Sequence, residues 1–176
     1  MKNSLSVWTL GAFTFTAVVG TLLHFLYQWT GFLALAPFCA VNESTWEHMK
    51  ILFFPMLLFT LIQGKFFANT FPNYWSVKFV GTLIAVLLVP LLFYTYNGAF
   101  GKSPAWVNIA IFFLSAGIGY LVEFFLFKKE ERKPASPVAP VLLFCLLTAL
   151  FILWTFFPPL LPLFQDPVTG SYGLTV

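Results

Sequence analysis

Asn42-Glu43-Ser44-Thr45-Trp46-Glu47-His48-Met49-Lys50 runs without a break into Ile51-Leu52-Phe53-Phe54-Pro55-Met56-Leu57-Leu58-Phe59. The first part holds two of the chain's six carboxylates, one of its two histidines and one of its nine basic residues, and the second holds no charge at all. A polar cluster set directly against such an apolar run reads as a lipid-facing helix entered through a hydrogen-bonding cap. Ser44-Thr45-Trp46-Glu47 fits the capping box, in which the Ser hydroxyl and the Glu carboxylate serve the free N–H groups of the first turn. Acidic residues also suit the positive end of the helix dipole. The cap accounts for Ser44 and one Glu, and leaves a second Glu, a His and an Asn over.

Composition extends the same reading to the whole chain. Of 176 residues 60% are hydrophobic and 9% charged, against about 25% charged in a soluble domain, and the mean hydropathy is +0.89. So few charges cannot coat a water-facing surface, and the chain reads as an integral membrane protein. No basic stripe interleaved with aromatics appears, which excludes nucleic acid as a partner. Cys39 and Cys145 are far apart and lack metal-type spacing, so both are read as small apolar packers.

About 20 apolar residues cross a bilayer. Five stretches qualify: Val7–Tyr27, Thr45–Phe66, Trp75–Tyr96, Pro104–Phe127 and Val138–Phe157. Lys2 ahead of the first stretch and Ala34-Leu35-Ala36 behind it resemble a signal peptide, but the run is too long for one and is read as a retained helix. The predicted fold is an all-α polytopic bundle of about five transmembrane helices in one domain, residues 1–176, with 158–176 as an extracytoplasmic tail. The segment Gln28–Val41 is apolar but too short to span twice, which predicts an interfacial or re-entrant passage. Lys2, Lys65, Lys78, Lys128, Lys129, Arg132 and Lys133 collect on one side, against Lys50 and Lys102 on the other. Positive residues stay in the cytoplasm, so the N-terminus is expected inside and the C-terminus outside, in a prokaryotic plasma membrane. Pro55 and Pro90 within spans predict kinks, and Ser115 with Gly119 a close helix approach.

This topology gathers most polar chemistry at the outer face. Glu43, Glu47, His48 and His24 are the candidate catalytic residues, and the same four are candidate ligands for a divalent metal such as zinc. Without metal they supply a general acid and base. Four-residue spacing predicts that Glu43 and Glu47 share a helix face, as do Ser44 and His48. Trp46 is expected at the headgroup level. Asn42, Ser44, Trp46 and Lys50 are candidate binding residues, joined by Asp166 and Tyr172 if the proline-rich tail folds back over the motif. No HExxH occurs, which excludes a zincin. Glu123 is expected to reach toward Lys128.

The motif Asn42 to Lys50, the following helix with Pro55, and the tail Asp166-Pro167-Val168-Thr169-Gly170-Ser171-Tyr172-Gly173 resemble an uncharacterised family of small prokaryotic integral membrane proteins with an N-E-S-x-W-E-H-x-K motif. The resemblance implies a compact multi-helix membrane protein and assigns no catalytic residue. Three functions fit these residues: an enzyme using a Glu/His site on a lipid or lipid-linked substrate, a small transporter or solute-binding subunit, and a structural or accessory subunit. Membrane lipids are the expected partners, together with a second copy or a partner subunit.

Overall fold

The computed structural model describes residues 2–129 and 135–174. Five helices form the body: α1 (Lys2–Thr30), α2 (Thr45–Phe67), α3 (Tyr74–Phe100), α4 (Ala105–Lys128) and α5 (Val138–Phe156). No strand occurs among the described residues, only an isolated antiparallel bridge between Gln165 and Tyr172. The protein is all-α, and each of the five helices is long and apolar enough to cross a membrane. At 1.5 Å per residue the shortest, 19 residues, is about 28 Å long, close to the hydrocarbon thickness of about 30 Å.

Local chemistry explains where the helices begin and end. α1 runs past its predicted limit to Thr30 and stops at Gly31, whose φ of 60° reverses the chain at low steric cost. α4 and α5 start just after Pro104 and Pro137, and Pro158-Pro159 forbids any continuation of α5. The passage from residue 31 to residue 44 makes only one short 3-10 turn, Leu33–Leu35. It lies against the ends of α1 and α2, with the Ala40 N–H donating to the Leu23 carbonyl at 3.1 Å.

Helices α1 to α4 form a closed ring of neighbours, and α5 packs outside it against α3 and α2. Phe53, Met56, Ala85, Val86, Phe112 and Phe151 fill the interior. Leu10, Leu61, Leu87, Leu121, Phe125 and Leu142 stand exposed on the outer faces, an apolar surface of the kind that lipid covers. The end of α1, the start of α2, the α3–α4 turn and the end of α5 share one end of the bundle, called here the motif end.

Charge placement differs from the sequence reading at two positions. Lys78 is buried and pairs with Glu123 across α3 and α4, so Glu123 does not reach Lys128, whose ammonium lies 4.2 Å from the Phe124 ring centroid. Lys50 is likewise buried. Neither lysine marks a membrane border: each is buried against a carboxylate, without which its charge would be strongly destabilising. Arg132 and Lys133, counted above as cytoplasmic, lie outside the described residues.

Close approach of α3 and α4 lets Lys78 and Glu123 meet. A Cβ on Gly119 would stand 2.8 Å from the Gly81 carbonyl oxygen and 2.7 Å from the Ala85 Cβ, so only glycine fits there. Ser115, one turn earlier on α4, is fully buried. Gly119→Ala is therefore expected to destabilise the detergent-solubilised protein by about 1–3 kcal/mol. Gly117→Ala, whose new Cβ would meet only Phe13 at 3.8 Å, is expected to be neutral. Thermal unfolding of the two variants side by side checks both.

Candidate functional site

The start of α2 organises the motif end. Ser44 is the N-cap, and its Oγ accepts from the Glu47 N–H at 3.4 Å. The reciprocal half of the capping box is missing. The Ser44 N–H donates to Asn42 Oδ1 at 2.8 Å, and the Glu47 carboxylate turns to the Val41 N–H at 3.0 Å and to Lys50 Nζ at 2.6 Å. Glu43 precedes the cap, so it is not on the helix and shares no face with Glu47. Ser44 and His48 do meet as a helical pair: His48 Nδ1 lies 2.9 Å from the Ser44 carbonyl. A carbonyl only accepts, so Nδ1 carries the proton.

The four candidate catalytic residues thus separate into two groups. Glu47 belongs to a dry cluster with Lys50, the two being 2% and 0% exposed. Lys50 Nζ also donates to the Ala36 carbonyl at 2.9 Å and to Thr155 Oγ1 at 2.8 Å. Trp46, expected among headgroups, is buried against Phe151, Trp154 and Phe164. Neither Lys50 nor Trp46 lines either of the cavities described below.

The other group is His24, Glu43 and His48, from α1, the connection and α2. His24 Nε2 and His48 Nε2 each lie 3.7 Å from Glu43 Oε2, and the two imidazole centroids are 5.2 Å apart. One ligand atom from each residue falls within 4.8 Å of the other two. His24 Nδ1 is buried with no hydrogen-bond partner among the described residues. The neighbouring His24 ring holds the Glu43 carboxyl below the usual carboxylate range, partial burial opposes this, and His48 adds to it.

The tail folds back over this group. The Asn42 amide donates to the Gly173 carbonyl at 2.9 Å, the Leu174 N–H to the Thr155 carbonyl at 3.3 Å, and Phe164 packs on Trp46. Asp166 sits beside Glu43 and His48 rather than Glu47. Burial pushes its carboxyl up, but the N–H groups of Val168 and Thr169, at 2.7 and 3.3 Å, outweigh this and leave it below its usual value. Tyr172 bridges to Gln165 and packs against the core, away from both cavities.

Two cavities meet at the group. One, about 350 Å³, runs between α1 and α4, from Gly20, Thr21 and His24 to Ile109, Phe112 and Phe113. The other, about 240 Å³, lies under the tail and the α3–α4 turn, where Asn97, Lys102 and Ser103 line it. Glu43, His48, Asn108 and Phe112 belong to both. The sequence reading missed Asn97, Ser103 and Asn108, a hydrogen-bonded string in which Ser103 Oγ donates to Asn108 Oδ1 at 2.7 Å and the Ser103 N–H to Asn97 Oδ1 at 2.8 Å. Asn97-Gly98 followed by Pro104 reads as a plain turn, and only an Asn on the first turn of an otherwise apolar helix signals more.

A family of unknown function, DUF6512, has a model that matches residues 1–174. The chain belongs to that family. No curated protein and no solved structure matches the chain. For this DUF6512 protein, geometry is therefore the source of every role assigned to a side chain.

Two outcomes are expected here. Lys50→Met leaves the Glu47 carboxylate buried without its cation and is expected to cost about 3–5 kcal/mol, whereas Lys50→Met with Glu47→Leu recovers most of it. Denaturation of both variants in detergent measures the difference. Asp166→Ala removes the acceptor of the Val168 and Thr169 N–H groups and is expected to loosen the turn they close, read as faster amide exchange over residues 166–171. Because the folded Asp166 pKa is depressed, the wild-type turn holds above about pH 4 and weakens as pH falls through the folded value.

Proposed function

We propose that this protein is a membrane-embedded enzyme acting on a lipid or lipid-linked substrate, with His24, Glu43 and His48 as the reacting centre. The observation that carries the reading is the wall shared by the two cavities. A groove between α1 and α4, mostly apolar in lining, adjoins a more polar chamber, and Glu43 and His48 stand where they join. An amphiphile fits that arrangement, its chain in the groove and its head in the chamber, with the bond between them beside the imidazole and the carboxylate. Groove and chamber both lie at one end of the bundle, which favours an enzyme over a transporter, whose polar path must continue across.

We place the motif end at the outer leaflet of a plasma membrane. Among the described residues, Lys65, Lys128 and Lys129 are exposed at the opposite end, against Lys102 alone at this one, and basic residues favour the cytoplasmic side.

The test is turnover in proteoliposomes carrying a total polar lipid extract from bacterial membranes, followed by mass spectrometry of the lipids. Wild type is expected to convert one headgroup class. Glu43→Gln, at an exposed position outside the helix, is expected to fold normally and lose at least about 100-fold in rate. Ile109→Trp, which narrows the groove, is expected to raise KM more than it lowers kcat. If wild type converts no lipid, the enzyme reading falls and an accessory-subunit role takes its place.

A further inference from the structure

We infer that His24, Glu43 and His48 form a binding site for one divalent transition-metal ion of the zinc class. The inference deepens the proposed function, on which its catalytic meaning rests, but the metal site itself stands on three observations about the side chains.

The first is spacing. Both imidazole Nε2 atoms lie 3.7 Å from Glu43 Oε2, too long for a hydrogen bond, which needs about 2.7–3.2 Å. Three ligands around one ion, with bonds of about 2.0–2.2 Å at tetrahedral angles, stand roughly 3.3–3.6 Å apart. Both carboxylate–imidazole distances are close to that spread, and the trio, its ligand atoms within 4.8 Å of one another, closes on an ion by drawing the two imidazoles together.

The second is tautomer. The Ser44 carbonyl, 2.9 Å from His48 Nδ1, requires a proton on that nitrogen. Nε2, the free ligand position, then faces a carboxylate oxygen. Facing that carboxylate it either binds a second proton or gives its lone pair to a metal cation lying between them. A backbone carbonyl holding the far nitrogen of a ligating histidine is also the usual way such a ring is oriented.

The third is surroundings. Asp166 adds a second carboxylate beside the trio, while the nearest buried cation, Lys50, is bound to Glu47, the Ala36 carbonyl and Thr155. Glu43 and His48 also open onto both cavities. Two imidazoles and one carboxylate suit zinc and its first-row neighbours. Three protein ligands leave a coordination position for water, and a divalent ion makes that water acidic enough to react near neutral pH. Glu47, in the neighbouring ion pair, takes no part.

The experiment uses untagged full-length protein in detergent, stripped with EDTA and titrated with Zn²⁺, with Co²⁺ as a spectroscopic probe. Wild type is expected to bind one ion per chain and to show the intense visible absorption of tetrahedral Co²⁺. Glu43→Gln and His24→Ala are expected to bind more than about tenfold more weakly, with apo thermal midpoints matching wild type. Folded wild type that takes up no stoichiometric Zn²⁺, or variants that bind as wild type does, overturns the inference. The two readings fail separately. One ion per chain with no lipid conversion leaves the metal site standing and removes the enzyme, and full lipid conversion by protein that takes up no Zn²⁺ does the reverse.

Discussion

A lysine ammonium buried away from water must give each of its three N–H groups an acceptor, and Lys50 is built around that constraint. Its partners are the Glu47 carboxylate on its own helix, the Ala36 carbonyl in the first connection and the Thr155 hydroxyl near the end of α5. The three come from three parts of the chain, so one charge ties α2, the passage from α1 and the outermost helix together. Glu47 in turn holds the Val41 N–H, which fixes the approach to the Ser44 cap. Without that fixed approach Glu43 would have no defined position beside the histidines.

A second buried pair, Lys78 with Glu123, does for the far end of α3 and α4 what Lys50 does for the motif end. Between them the ring of helices closes through small residues, with Gly119 against α3 and Gly20 of α1 under the Phe112 side chain and the Ile51 carbonyl. Pro55 has no N–H for that carbonyl, so the kink-prone turn of α2 is covered by the helix that also floors the α1–α4 groove. Packing in the membrane interior and the shape of the site are in this way one problem. Lipid offers helices no hydrophobic drive to associate, so close contact and polar partners must supply it.

The site has the opposite character. Glu43 is 49% exposed, stands outside any helix and is held through its neighbours: Asn42 bound to the tail, Ser44 bound to the first turn. His24 and His48 come from two helices and are partly exposed. A dry charge pair, Glu47 with Lys50, thus sits beside an accessible cluster that faces two cavities. Such a division lets the reactive groups remain open without loosening the bundle.

Much of the fold was legible in the chain because hydropathy answers to a simple demand: in lipid every backbone polar group must be satisfied within its own segment. That demand marks five helices in the sequence, and among the described residues five helices are long and apolar enough to cross a membrane. The motif was legible as a concentration of polar groups, but its partition was not. Glu43 and Glu47 look equivalent at four-residue spacing, and only the position of the cap, one residue past Glu43, separates them. The three-residue spacing of Glu47 and Lys50 allows their pairing, but Lys78 looks like a border charge, because a linear reading cannot tell a charge at a helix end from one with a partner across the bundle. Asn97, Ser103 and Asn108 read as turn chemistry until α3 and α4 are set side by side. By itself the sequence determined the lipid-compatible helices and the one end where polar chemistry gathers. Only the tertiary structure decided which carboxylate faces the imidazoles and which is spent on a buried lysine, since burial and partner choice depend on neighbours more than a hundred residues away, as Thr155 is from Lys50.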